Sequence, residues 1–499
     1  MYYTSTRDKS VKVTAAQAIT NGISKEGGLY VPCEIPCVSR EFIKHLAELD
    51  YIGRAKEILA LYLTDFTEQE LDDCVHGAYK AGKFTAKEVA PTVALENGVN
   101  ILELWHGPTC AFKDMALQLL PYLLTTSAKK TADGKQIVIL VATSGDTGKA
   151  ALEGFKDVEN TNVLVFYPND GVSAMQKLQM CTQEGANVAV CAINGNFDDA
   201  QTSVKEIFTS EQVKAKLAEK NMMFSSANSI NWGRLVPQIV YYFSTYCDLL
   251  NQGKISLGDK INIVVPTGNF GNILAAYYAK EMGVPIKKLL CASNANNVLT
   301  EFIDSGFYNK DREFFTTISP SMDILVSSNL ERLLFHLSGD NDSFVKDCME
   351  GLFEDGCYTV NRSVYEKLKG SFEGGCCDDA ATKETIGDIY RRFHYLCDTH
   401  TAVAVRVFYN YLEKTGDTTP TVIASTASPY KFSPAVLEAV GSKEAVCEDG
   451  FVMMERLQEI TGEPIPAPLA AIQNKPVRFE KVAERSEMTD VVLDLLGIK

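Results

Sequence analysis

Six short, almost wholly apolar segments constrain this chain more than any other feature. They are IVILVAT (Ile137–Thr143), VLVFYP (Val163–Pro168), NVAVCAI (Asn187–Ile193), INIVVPT (Ile261–Thr267), KLLCAS (Lys288–Ser293) and TVIASTA (Thr421–Ala427). A strand with one wet face alternates apolar and polar residues. These runs do not alternate, so each is expected to be covered on both faces, as in a parallel sheet flanked by helices. Stretches of about 15–20 residues between neighbouring runs suit right-handed crossover helices. The strongest helical pattern is Trp232–Leu250. The expected fold class is α/β.

The two ends of the chain and one internal stretch read differently. Residues 1–95 are expected to form a helix-rich N-terminal section. It holds a turn and extended piece, GGLYVP (Gly27–Pro32), and two amphipathic candidates near Arg40–Leu61 and Glu68–Ala81. A boundary is expected near Pro91. The α/β texture then divides into a segment 96–250 and a segment 251–499. Residues from about 300 to 400 break the alternation with polar helical patterns, Asn329–Leu337 and Lys383–Cys397, and read as a helical insertion. The Pro-rich PIPAPLAAIQNKP near the C-terminus is expected to run extended over the surface.

Charge and cysteine usage exclude whole classes. The chain has 48 Lys+Arg against 64 Asp+Glu, a net of −16, which argues against nucleic acid or an anionic membrane as partner. It leaves room for a small anionic substrate, because a few N–H groups and an Arg suffice to hold a phosphate. The 14 cysteines form no C-x-x-C pair and no zinc spacing, and read as free, mostly buried thiols. The six histidines show no H-E-x-x-H spacing, so no metal is expected. MYYTSTRDKSVKV lacks the apolar core of a signal peptide, and no run approaches the ~20 apolar residues of a membrane span, so the expected location is cytoplasmic.

Five motifs could carry chemistry. TSGDTGKAALEGF follows a strand and opens a helix, where free N–H groups receive anions; Asp146 or Thr147 would equally serve as a simple cap. PTGNFGNILAAYYAK repeats that layout, with Gly268 and Gly271 allowing close backbone approach. It is neither a dinucleotide fingerprint nor a P-loop. In HGPTCAFKDMALQ, Lys113 stands in an apolar neighbourhood that could lower its basicity and make it a nucleophilic amine, or it could merely pair with Asp114. SSANSINWGRLVPQ places Asn228, Ser229, Asn231 and Arg234 at a helix start, as caps or as an anion fork. ASTASPYKFSP sets Ser425 and Thr426 at a strand end, where open α/β sheets bind ligands. His400 reads as a helix-start residue.

Nine segments in order, namely YTSTR, GGLYVP, LWHGPTCAFKD, ATSGDTGKAA, GVSAMQKLQM, GNFDDAQ, NSINWGR, PTGNFGN and STASPYKFSP, resemble the threonine synthase family. These are pyridoxal-phosphate enzymes of fold type II (tryptophan synthase β-like). The resemblance implies two open sheets with helices on both faces, the N-terminal section and the insertion being additions. It implies conversion of O-phospho-L-homoserine and water to L-threonine and phosphate, by a monomer or small homo-oligomer. Lys113 would form the Schiff base with pyridoxal 5′-phosphate. Gly268, Asn269, Phe270, Gly271 and Asn272 would cradle the cofactor phosphate, Thr426 would meet the pyridine nitrogen, and Asp146 would stand beside the ring hydroxyl. Ser144, Gly145 and Thr147 would face the substrate, with Asn228, Ser229 and Arg234 lining its phosphate subsite. Many fold type II enzymes carry Asn where Asp146 stands, and some relatives carry His where Ser428 stands. The rival expectations are another fold type II lyase or dehydratase acting on a (phospho)hydroxy amino acid, and a silent phospholigand-binding protein.

Overall fold

All six apolar runs are strands, and they fall into two sheets. A computed structural model describes residues 1–499 apart from Gly171, 442–445, Glu448 and Lys499; Gly171, which opens one of the nine segments, thus lies outside the described residues. The first sheet is wholly parallel, in the order Val482–Glu484, Val188–Asn194, Thr161–Pro168, Gln136–Ala142, Met222–Ser225. The second runs Phe372–Cys376, Ile286–Ser293, Ile261–Pro266, Thr421–Ser425, Val99–Glu103, Thr92–Glu96. It is parallel except for its last pair. Successive side chains along each run are buried on both faces of the sheet, which is why the runs carry no alternation.

The helix Trp232–Asn251 is buried along nearly its whole length and packs on the helices Arg40–Ala47, Tyr51–Tyr62 and Gly271–Met282. Its first residue, Trp232, is fully buried. The indole meets Tyr3 at 5.4 Å, Tyr62 at 5.5 Å and Tyr278 at 5.5 Å between ring centroids, so it ties the N-terminal section to the second sheet's helices. Trp232→Ala should cost about 3–5 kcal/mol, read as a lowered denaturant midpoint; a cost below about 1 kcal/mol would show that this cluster does not hold the section in place.

Three expectations need correction. The pattern over Arg40–Leu61 is two helices, because Asp50 turns its carboxylate onto the Gly53 N–H at 2.8 Å and starts a new helix at Tyr51. Residues 300–400 are not purely helical: Phe372–Cys376 forms the edge of the second sheet, and Phe307–Asn309 pairs with Cys357–Thr359. PIPAPLAAIQNKP folds into a short helix Ala467–Ala470 and a 3₁₀ turn Ala471–Asn474 that bury Leu469 and Ile472. The segments 96–250 and 251–499 each contribute strands to both sheets. Val99–Glu103 pairs with Thr421–Ser425, and Val482–Glu484 returns to pair with Ala192–Asn194.

Candidate active site

In open α/β sheets ligands bind beyond the carboxyl ends of the strands, and here both sheets turn those ends to one cleft of about 2130 Å³. Lys113 opens the helix Lys113–Leu117 at its edge. The preceding Phe112 N–H donates to the Thr426 carbonyl at 2.8 Å, and the Ser428 N–H to the Cys110 carbonyl at 3.0 Å. These bonds stitch the strand end carrying Thr426 beside Lys113. The Lys113 Nζ donates to Ser321 Oγ at 3.4 Å, lies 3.7 Å from Asp146 Oδ2 and sits 4.8 Å from the centre of the Phe112 ring. Burial pulls this amine down to about 8; Asp146 opposes the fall, while Arg234 and Lys431 add to it.

The loop after Gln136–Ala142 is held by Thr143, whose Oγ1 accepts from the Gly145 and Gly148 N–H groups at 2.9 Å each. Gly145 has φ +130°, and a Cβ there would stand 2.4 Å from the Gln176 side chain, so no other residue fits without displacement. Ser144 and Thr147 are half-buried and line the cleft, and Asp146 is buried at the start of its helix.

The loop after Ile261–Pro266 is equally constrained. Phe270 adopts the left-handed conformation with φ +63° just before the helix Gly271–Met282, a strained choice for a non-glycine residue. Its ring is buried and lies 5.7 Å from that of Phe372. Residues of the 300–400 stretch hold this loop: Ser327 Oγ donates to the Gly268 carbonyl at 2.8 Å, and the Asn329 backbone and side-chain N–H groups donate to the Asn269 carbonyl at 3.1 Å each. Asn272 Oδ1 accepts from Tyr241 at 2.7 Å and Tyr242 at 2.5 Å. Its Nδ2, also buried, has no partner among the described residues.

The third loop carries Asn228 and Ser229, both half-buried at the cleft. Arg234 follows one turn into the helix Trp232–Asn251. It is buried, donates from Nη1 to the Ala227 carbonyl at 2.7 Å, and among the described residues pairs with no carboxylate. Burial lowers its pKa to about 10.

Every site residue expected from the sequence borders or adjoins this cleft. Several residues that line or support it were not expected. Lys431 reaches Asp146, and Gln176 Nε2 donates to Asp146 Oδ1 at 3.0 Å; both stand in quoted segments, but nothing local marks them as acting on Asp146. Ser321 and Asn329 come from the stretch read as an insertion. Arg332, fully buried, donates to the carbonyls of Tyr30 at 2.9 Å, Ser229 at 3.1 Å and Ile230 at 2.6 Å, and so clamps the third loop. His400 is the second residue of the helix Thr399–Thr415, as its position suggested. Its Nε2 also accepts the Ser321 N–H at 3.2 Å, while its Nδ1 faces Asp398 at 2.7 Å. Ser428 caps the following 3₁₀ turn by accepting from the Tyr430 N–H at 3.4 Å.

Comparison with known proteins agrees with this arrangement. Three family profiles match along the chain: threonine synthase N terminus over residues 2–79, pyridoxal-phosphate dependent enzyme over residues 89–426, and threonine synthase C-terminal over residues 401–492. Human threonine synthase-like 1 is 39% identical over 88% of the chain, and the chain spans only about 60% of that relative's length. Threonine synthase of Saccharomyces cerevisiae is 36% identical over 98% of the chain and 99% of its own. Among solved structures, the PLP-bound threonine synthase from Brucella melitensis superposes with a TM-score of 0.87 at 34% identity, covering 99% of both chains. The two parallel sheets, the lysine at their shared cleft and the matched profiles make this chain a member of the threonine synthase family of pyridoxal-phosphate-dependent enzymes.

Proposed function

We propose that this chain is a threonine synthase, converting O-phospho-L-homoserine and water to L-threonine and phosphate with pyridoxal 5′-phosphate as cofactor. One observation carries the reading. A buried amine of lowered basicity shares its cleft with two helix N-termini and a buried arginine that has no carboxylate partner among the described residues. A substrate bearing a carboxylate and a phosphate, bound with a phosphorylated cofactor, calls for that set.

The residues present suit the cofactor. The helix opening at Gly271 offers N–H groups without partners in its first turn, and the unpartnered Asn272 Nδ2 adds a side-chain donor. The backbone at Gly268 can approach a phosphate closely, and a Cβ there would meet the Ser321 carbonyl at 2.6 Å. Gly268, Asn269, Phe270, Gly271 and Asn272 are assigned to the cofactor phosphate, Thr426 to the ring nitrogen, Asp146 to the ring hydroxyl and Lys113 to the covalent attachment. Gly268→Ala should therefore raise the cofactor dissociation constant of the apoprotein by at least about tenfold, measured by fluorescence titration; an unchanged constant would move the phosphate elsewhere.

When bound, the cofactor supplies an electron sink that makes the substrate's α-proton removable. The Lys113 amine takes that proton as general base. Ser144, Gly145 and Thr147 hold the substrate carboxylate against a helix N-terminus. Asn228, Ser229 and Arg234 hold the phosphate while it is still attached and as it departs. The neutral Thr426 hydroxyl places no carboxylate at the ring nitrogen, which disfavours protonation at the wrong carbon. The cleft exceeds the ~300–1,000 Å³ of a usual small-ligand site, so its walls must close to exclude water before the intended water adds.

Among the described residues no helix is long and apolar enough to cross a membrane, and the fourteen cysteines are free. The free thiols support a reducing, cytoplasmic setting for the reaction. The deciding assay mixes the purified protein with O-phospho-L-homoserine and follows phosphate and the amino-acid product together. Equal phosphate and threonine are expected. Phosphate with a keto acid would assign a lyase or dehydratase instead, and no turnover by cofactor-loaded protein would require another substrate.

A further inference from the structure

A second lysine stands behind the cleft, and nothing in the reaction as derived uses it. Lys431, in the turn Pro429–Phe432, is fully buried, and its Nζ lies 2.6 Å from Asp146 Oδ1. It also donates to the Thr109 carbonyl at 3.0 Å. Asp146 thus stands between two cations, Lys431 at 2.6 Å and Lys113 at 3.7 Å, with a further hydrogen bond from Gln176. A lysine without solvent exposure persists only when paired. The other neighbours of Lys431 include the buried Cys110 and Asp114.

We propose that Lys431 is a positioning residue: it is the counter-ion of Asp146, and by satisfying that carboxylate it leaves the Lys113 amine outside a full ion pair. This rests on the reading of Lys113 as the reactive amine. The argument is one of charge balance. Coulomb attraction rises as separation falls and is strong where water is excluded. Without Lys431, the buried Asp146 would have Lys113 as its nearest cation and would draw it in as an ammonium, which is neither nucleophile nor base. With Lys431 in place, Asp146 and Lys431 form a neutral pair and Lys113 becomes the surplus buried cation, the easiest to deprotonate.

The surrounding groups agree. Lys113 is faced by Asp146 from its own helix, Arg234 from the helix Trp232–Asn251, Lys431, the Ser321 hydroxyl with His400 behind it, and the Phe112 ring. Arg234 and Lys431 favour its neutral form, and Asp146 alone opposes them. Burial works against the Asp146 charge, yet Lys431 and Lys113 hold its carboxyl well below the usual range. Asp114, the other acid near Lys431, is pushed up to about 6 by burial and is bonded to Thr109, so it competes weakly.

The test uses apoprotein and needs no substrate. Lys113 is labelled with acetic anhydride in trace amount across pH 6–11, and the peptide carrying it is quantified by mass spectrometry. In Lys431→Met the labelling midpoint should rise by at least one pH unit, so that labelling at pH 7.5 falls about tenfold. Lys431→Arg should keep the original midpoint. The double variant Lys431→Met with Asp146→Asn, again neutral as a pair, should return the midpoint towards that of the unaltered protein. An unchanged midpoint in Lys431→Met, or a shift that persists in the double variant, overturns the proposal. If Lys431→Met does not accumulate as folded protein, Asp146→Asn alone decides: the midpoint must fall, and one that stays or rises overturns the proposal. Labelling is blind to the reaction product, so a finding of keto acid in place of threonine would revise the function and leave this result standing.

Discussion

Lys113→Ala should reduce threonine formation by on the order of 10⁴-fold, the upper part of the range for a positioned proton-transfer group, and should leave the protein unable to hold the cofactor covalently. The loss should be chemical rather than structural. Among the described residues the lysine side chain meets only the Ser321 hydroxyl, Asp146 at 3.7 Å and the Phe112 ring. The helix it opens is anchored by other groups: the Phe112 N–H on the Thr426 carbonyl and the Tyr79 hydroxyl on the Met115 carbonyl at 2.6 Å. Far-ultraviolet dichroism and the melting temperature should therefore stay close to those of the unaltered protein, while released phosphate and threonine both disappear. Threonine formation at more than a tenth of the original rate would remove Lys113 from its assigned role.

Arg234→Ala should raise KM for O-phospho-L-homoserine by roughly 30- to 1,000-fold, the equivalent of about 2–4 kcal/mol for a desolvated charge pair, with a smaller effect on kcat. The guanidinium is buried and one Nη1 is committed to the Ala227 carbonyl. That bond fixes the fork while leaving its other donors for an anion. Arg234→Lys keeps a charge but loses the fork, and should fall between the two. Competitive inhibition by inorganic phosphate should weaken in parallel. Unchanged KM and unchanged inhibition in Arg234→Ala would place the phosphate subsite elsewhere in the cleft.

The six apolar runs were legible because burial on two faces leaves a run without alternation, whereas Val99–Glu103, also paired on both sides, was missed because it is short and carries Asn100 and Glu103. The strand Phe372–Cys376, FEGGC, was not legible either, since it is paired on one side only and carries a glutamate and two glycines. The break at Asp50 was missed for another reason. Apolar spacing continues across it, and only the local bond from its carboxylate to the Gly53 N–H ends one helix and begins the next. In the site, residues at strand ends and helix starts announced themselves through glycines and hydroxyls. Their supports did not. Asn329, Arg332 and Lys431 act on loops some 60 to 320 residues away in the chain, through hydrogen bonds to carbonyls or contact with one carboxylate. A contact between distant positions leaves no periodic trace in one sequence.

The bond between the Phe112 N–H and the Thr426 carbonyl has a consequence for how this protein comes into being. During synthesis the lysine at 113 emerges early, but the strand Thr421–Ser425 that seats it emerges more than 300 residues later, and the first sheet still awaits Val482–Glu484. Local helices form as they leave the ribosome; pairings this remote wait for both partners. A nascent chain halted anywhere before residue 426 thus carries Lys113 without the strand end that seats it. The cleft around Lys113 is thus completed only once the strand Thr421–Ser425 has formed, and the long interval between the two segments keeps a chain that stops short of it inert.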